Sequence, residues 1–160
     1  GRPFKGCLFF GLMLTPDGPK VIEYNCRFGD PETQVVLPRL KTDFIEIMQA
    51  VRQERLKDTL IEWREEACAC VVMASGGYPA SYKKGFAIHG LDKNGQKNGV
   101  TVFHAGTKKE NGYFYTNGGR VLGVTAMADT LDAALDKAYQ AVENIDFENA
   151  HYRKDIGKTR

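Results

Sequence analysis

Val21-Ile22-Glu23-Tyr24-Asn25-Cys26-Arg27-Phe28-Gly29-Asp30-Pro31-Glu32 is the most informative stretch of this 160-residue chain. Side chains alternate along a strand, so Glu23, Asn25 and Arg27 share one face wherever the extended conformation persists. Ile22, Tyr24 and Cys26 then take the other. A carboxylate beside an amide oxygen offers hard ligands of the kind magnesium prefers. An arginine next along suits a phosphate, which its planar fork grips at two points. One strand thus offers a cation site beside an anion site, as phosphoryl transfer requires. A strand with a merely solvated polar face has the same spacing, so the residues alone leave both readings open.

Upstream, the apolar run Cys7–Leu14 and the turn signal Thr15-Pro16-Asp17-Gly18 make the same stretch the second arm of a hairpin. Downstream, Asp30 with Pro31 predicts a helix start with Asp30 as its cap, and Pro38 ends or kinks that helix. A second helix is expected over 42–54, where Phe44, Ile47, Met48 and Val51 recur at spacings of three and four. The polar passage 57–66 is the expected boundary between two domains, 1–62 and 63–160.

Past it the pattern turns to short strands with frequent glycine. Strands are expected at 67–74, 86–89, 100–105, 112–116 and 121–128, with Asn117-Gly118-Gly119 as a hairpin signal. A last helix, 131–145, follows a cap at Asp129 or Thr130 and presents Leu131, Ala134, Leu135, Ala138, Tyr139, Val142 and Ile145 as its buried stripe. The expected class is α+β: a hairpin with helices, then a small, mostly antiparallel β domain closed by one helix.

Composition narrows function mainly by exclusion. Net charge is +2, from 22 basic and 20 acidic residues, which gives no electrostatic case for nucleic acid or membrane surfaces. No stretch has the ~18 consecutive apolar residues of a membrane helix. Cys7, Cys26, Cys68 and Cys70 lack zinc spacing and read as buried thiols of a reducing, cytoplasmic protein. The chain opens Gly1-Arg2-Pro3 and reaches an apolar run by Cys7, which reads as a segment excised from a longer protein.

Ile22-Glu23-Tyr24-Asn25-Cys26-Arg27-Phe28-Gly29-Asp30-Pro31-Glu32-Thr33-Gln34 closely resembles the hallmark of the phosphoribosylamine–glycine ligases, or glycinamide ribonucleotide synthetases. Four more stretches resemble the family in order: Val72–Pro79, Phe103–Thr107, Asn117–Leu122 and Tyr152–Gly157. Together they cover nearly the whole chain. The family belongs to the ATP-grasp ligases and joins glycine to 5-phosphoribosylamine while splitting ATP.

The resemblance implies a partial ATP-grasp core in 1–62, lacking the preceding N-terminal domains, and the family's C-terminal domain after it. It implies Mg²⁺ or Mn²⁺ on Glu23 and Asn25, and Arg27 on the transferred phosphate. It also implies Asp30 as a contact for the glycine amine, and Arg153 with Lys154 as a clamp for the phosphate of phosphoribosylamine. For Asp30 the rival role is the helix cap; for Arg153 and Lys154 it is a solvated basic terminus. Glu32 is a weaker candidate, since glutamate in a first helical turn is stabilising in any case. Gly76-Gly77 and Gly118-Gly119 could present backbone N–H groups to an anion or simply form turns. His89, His104 and His151 form no recognisable catalytic or metal set.

One departure from the wider superfamily stands out: Leu8–Leu14 carries no acid, so the cation site is only partly provided. The chain alone is expected to fold but not to turn over, with exposed apolar surface on its first segment favouring weak self-association. Two rivals remain: an ATP-grasp ligase for another carboxylate and amine, and a packing module without catalysis.

Overall fold

The computed structural model describes residues 1–158 and divides into two compact units, Gly1–Arg64 and Glu65–Arg160. The first opens with an antiparallel hairpin, β1 (Phe9–Thr15) and β2 (Gly18–Asn25). Its register pairs Phe9 with Asn25 and Gly11 with Glu23, then skips Ile22 so that Leu12 meets Val21. Such a bulge sharpens the local twist and re-aims the side chains beyond it.

Two short helices follow. Helix α1 (Thr33–Val36) begins later than the Asp30 cap predicted, with Glu32 at the cap position and no side-chain cap bond. Asp30 instead accepts a 2.9 Å hydrogen bond from the Gln34 side-chain amide. A 3₁₀ turn (Leu37–Arg39) then contains Pro38, which lacks the N–H an α-helix would need. Helix α2 (Phe44–Arg52) is capped by Asp43, whose carboxylate accepts from the Ile45 N–H at 2.7 Å. It is shorter at both ends than the predicted 42–54.

Its apolar stripe is real but uncovered. Phe44, Ile47, Met48 and Val51 line an open groove of about 760 Å³ with Cys7, Phe28 and Leu56. Ala50 is the only buried hydrophobic residue of this unit, and seven apolar residues of the hairpin are 50–82% exposed.

The second unit carries the well-packed core. Strands β3 (Ala67–Ala74), β4 (Thr101–His104) and β7 (Arg120–Ala128) form an antiparallel sheet in the order β3-β7-β4. Helix α3 (Leu131–Val142) packs on β3 and β7, capped by the Thr130 hydroxyl, which accepts from the Ala133 N–H. Val71, Met73, Val121, Leu122, Val124, Val142 and Phe147 are at most 1% exposed and make the centre of that core. The predicted stripe of α3 is buried at Ala134, Leu135, Ala138 and Val142, whereas Leu131 is 46% exposed. The helix also stops three residues early, and Ile145 is buried from the turn beyond it.

Three expectations for the strands are corrected. Strand β5 (Thr107–Glu110) was not foreseen, and it pairs with β6 (Tyr113–Thr116). Since β6 turns back on β5 and β7 joins β3 and β4, Asn117–Gly119 does not close a hairpin. Residues 86–89 are no regular strand; only isolated bridges form, Ala87 to Tyr115 and His89 to Asp146. The cysteines are also less buried than expected: Cys26 is exposed and the other three are half-buried. No described helix is long and apolar enough to cross a membrane.

Candidate functional site

The hairpin register builds one side of a cleft. Gly11 and Phe9 lie opposite Glu23 and Asn25, so the two polar residues of β2 face small or flat neighbours across the ladder. A Cβ at Gly11 would stand 3.0 Å from Glu23 Cγ, so the absence of a side chain there lets the glutamate lie across β1. The chain then turns through Arg27–Glu32 before α1, and that turn supplies the other side.

The resulting cleft, about 430 Å³, is lined by Glu23, Arg27, Asp30 and Glu32 together with Phe9 and Gly29. Three carboxylates and one guanidinium therefore meet in one small, open space. Glu23, Arg27 and Asp30 are exposed, so each can reach a ligand without first leaving a core. Arg27 donates from Nη1 to the Phe28 carbonyl at 2.8 Å, which uses one of its five donors.

Asn25 is different in character. It is half-buried, and its amide nitrogen is sealed from solvent with no hydrogen-bond partner. A buried amide end without a partner costs free energy, roughly 1–3 kcal/mol. Which end of an amide is oxygen is an assignment from its neighbours. Turned over, the same position presents an oxygen, and a hard cation would satisfy it. Glu23 and Asn25 thus fit a divalent ion in donor chemistry. Among the described residues no three His, Cys, Asp or Glu side chains gather to hold a metal, so two ligands are what this segment offers. Mg²⁺ commonly takes one or two carboxylates and completes its shell with phosphate and water.

Arg153 and Lys154 lie in the second unit. Arg153 grips Asp155 with two bonds, Nε to Oδ1 at 2.9 Å and Nη2 to Oδ2 at 2.7 Å. The hydrogen bonds to that carboxylate, and its charge, raise the guanidinium further above its ordinary pKa. Lys154 borders a cavity of about 740 Å³ between α3 and the C-terminal segment, with Asp132, Asp136 and Glu143 on the helix side.

The glycine pairs are taken up by packing. A Cβ on Gly76 would meet Asn149, one on Gly77 the Ser81 carbonyl, one on Gly119 the Tyr78 ring, and Gly118 abuts Gly106. The Ser75 hydroxyl donates to the Gly118 carbonyl at 2.8 Å, and the Ser75 N–H donates to the Gly119 carbonyl. Three of the quoted stretches therefore meet as a tight junction of backbones at one end of the sheet. His104 is held in place, with Nε2 beside the Gly95 carbonyl at 2.8 Å and Nδ1 beside the Thr107 hydroxyl at 2.9 Å.

The sequence pattern placed Glu23, Asn25 and Arg27 on one face; Glu23 and Arg27 line the cleft, together with Asp30, but Asn25 is not among its lining residues. The pattern did not identify Phe9, Gly11 and Gly29 as the surfaces they lie on. The signal for Phe9 and Gly11 is the pairing register, which a single sequence does not display.

Comparison with known proteins identifies the family. The family model "Phosphoribosylglycinamide synthetase, C domain" matches residues 68–159, and the ATP-grasp (A) domain model of the same synthetase matches residues 1–33. The phosphoribosylamine–glycine ligase of Caldanaerobacter subterraneus subsp. tengcongensis is 50% identical over 98% of this chain and 37% of its own length. The trifunctional purine biosynthetic protein adenosine-3 of Gallus gallus is 54% identical over 98% of this chain and 16% of its own. A crystal structure of phosphoribosylamine–glycine ligase from Thermotoga maritima superposes with a TM-score of 0.77 at 35% identity, over 92% of this chain and 36% of that one. The chain thus spans little more than a third of the length of such ligases. With its C-domain match running over more than half of its residues, the chain belongs to the phosphoribosylglycinamide synthetase family.

Proposed function

We propose that this chain is the C-terminal part of an ATP-dependent phosphoribosylamine–glycine ligase of purine synthesis, and that its hairpin cleft contributes to phosphoryl transfer. The observation that carries this reading is the meeting of Glu23, Arg27 and Asp30 in one cleft, with the unsatisfied amide of Asn25 on the same strand. Residues 1–62 are the closing part of the ATP-grasp core, and the remainder is the C domain. The preceding part of the ligase would supply the nucleotide grip, so the chain alone would not turn over. The reading places the protein in the cytoplasm, where thiols stay reduced.

The chemical task is to make a carboxylate reactive. Its oxygen is a poor leaving group, so it must first be phosphorylated. A glycine carboxylate oxygen attacks the γ-phosphorus of ATP and ADP departs. The amine of 5-phosphoribosylamine then attacks the acyl carbon, phosphate leaves, and the amine gives up a proton. Magnesium or manganese on Glu23 and Asn25 would supply positive charge to the phosphate oxygens. Arg27, with donors beyond the one given to Phe28, neutralises the transferring group and stays with the acyl phosphate. Asp30, steadied by Gln34, takes the glycine ammonium. Lys154 and the open edge of Arg153 contact the phosphate of phosphoribosylamine.

The test is steady-state kinetics of the full-length ligase carrying Glu23→Gln or Arg27→Ala. Each substitution should lower glycine-dependent ATP cleavage by more than about tenfold, or ~1.4 kcal/mol in barrier. A smaller loss in both variants overturns the assigned roles.

A further inference from the structure

We propose that Glu32 is a further substrate-binding residue, its carboxylate seated over Gly29 to receive the ammonium group of the amino-acid substrate; this rests on the ligase reading above. The argument begins with Gly29. It is buried, and its backbone is not in the left-handed region that would demand glycine. What demands glycine is space: a Cβ there would collide with the Glu32 carboxylate, stand 2.8 Å from its Cδ, and press on the Phe9 ring at 3.0 Å. Glu32 is exposed, yet its carboxylate lies over Gly29 instead of pointing straight away from the chain. It folds back against the chain, beside Phe9 and within the cleft.

Charge decides what this carboxylate is for. The cleft is lined by three carboxylates and a single guanidinium. If Glu23 serves a divalent ion and Arg27 a phosphoryl group, two negative groups remain, Asp30 and Glu32, beside a reaction that brings more negative charge. Carboxylates in such company are stabilised by an incoming cation. Mg²⁺ seldom takes a third protein carboxylate, because it retains water and substrate phosphate. An ammonium group, by contrast, has three donors to satisfy once water is displaced. Asp30 already accepts from Gln34. Glu32 provides a further acceptor and the added charge.

Two substitutions of different kinds test this in the full-length ligase. Glu32→Gln keeps the shape and removes the charge. Gly29→Ala keeps the carboxylate but takes its seat. Both should raise KM for glycine by about tenfold or more, the range of one charge-assisted hydrogen bond, while KM for ATP stays within twofold. Glycolate, which has a hydroxyl in place of the ammonium, should inhibit wild type and Glu32→Gln equally. A glycine KM within threefold of wild type for Glu32→Gln overturns the proposal. So does an equal loss of affinity for glycine and glycolate, or a shift confined to the metal and ATP. Absence of glycine-dependent ATP cleavage in wild type would refute the ligase reading itself, whatever the variants do.

Discussion

Replacing Gly106 with alanine probes the junction where three of the quoted stretches meet. A Cβ at this position would stand 2.5 Å from Gly118 Cα, 2.7 Å from Gly118 N and 2.7 Å from the Arg120 carbonyl oxygen. All three are backbone atoms, so no side chain can swing aside. The same junction is bonded on both sides: the Gly106 N–H donates to the Arg120 carbonyl at 2.8 Å, and the Gly106 carbonyl accepts from the Asn117 N–H at 2.6 Å. Parting the strands costs about 1–3 kcal/mol of overpacking plus about 1 kcal/mol for a weakened hydrogen bond, so about 2–4 kcal/mol in all. For a unit of this size that lowers Tm by about 8–30 °C.

Gly112→Ala is the comparator, since nothing lies within 4 Å of its added Cβ and only its φ of +84° resists. That should cost about 1–2 kcal/mol. Amide exchange at Val121 and Val124, both fully buried in β7, reports on the second unit. Fluorescence of the single tryptophan, Trp63, reports on the first unit and should not change. A loss below about 0.5 kcal/mol for Gly106→Ala, the size of an ordinary surface change, would show that these backbones do not meet as described.

Two further outcomes follow from the structure. The Asp92 carboxylate is held below its ordinary value of 3.8, first by the hydrogen bond from the Gln96 N–H and then by those from Asn94 and Gly95. A carboxylate depressed in the folded state adds stability that is complete above 3.8 and disappears as pH falls through the lower folded value; Asp92→Asn should flatten stability against pH in that acid range, and a carboxyl resonance titrating at or above 3.8 would contradict it. Cys26 is the one exposed cysteine of the four, so a thiol reagent should label it first, as read by peptide mass mapping; faster labelling of Cys68 or Cys70 would contradict the packing of β3.

The parts of the fold that were legible are those whose burial is written locally. Ala67–Ala74 is a continuous small and branched apolar run, and β3 has those same bounds. Thr130 ahead of a stripe at helical spacing marked α3 well. Illegible parts depend on partners. Thr107-Lys108-Lys109-Glu110 has no apolar residue, and it is a strand because Tyr113–Thr116 folds back on it. Asn117-Gly118-Gly119 reads as a hairpin, yet its glycines let Gly106 and Tyr78 approach. The stripe Phe44, Ile47, Met48 and Val51 was correctly periodic, but periodicity does not say what covers a stripe, and within this unit it faces an open groove. In the cleft, period-two alternation reached Glu23 and Arg27, while Asn25, on the same alternation, is half-buried and does not line it. Gly11 and Gly29 stayed hidden because a glycine's reason is the atom it makes room for.

Binding of Mn²⁺ to the full-length ligase in the presence of ADP, followed by electron paramagnetic resonance, tests the central claim most directly. The account predicts that Glu23→Gln combined with Asn25→Leu weakens the bound ion by more than about tenfold, near the ~1.4 kcal/mol that tenfold represents, while Arg153→Ala leaves it unchanged. Undiminished Mn²⁺ binding in the double variant would contradict it.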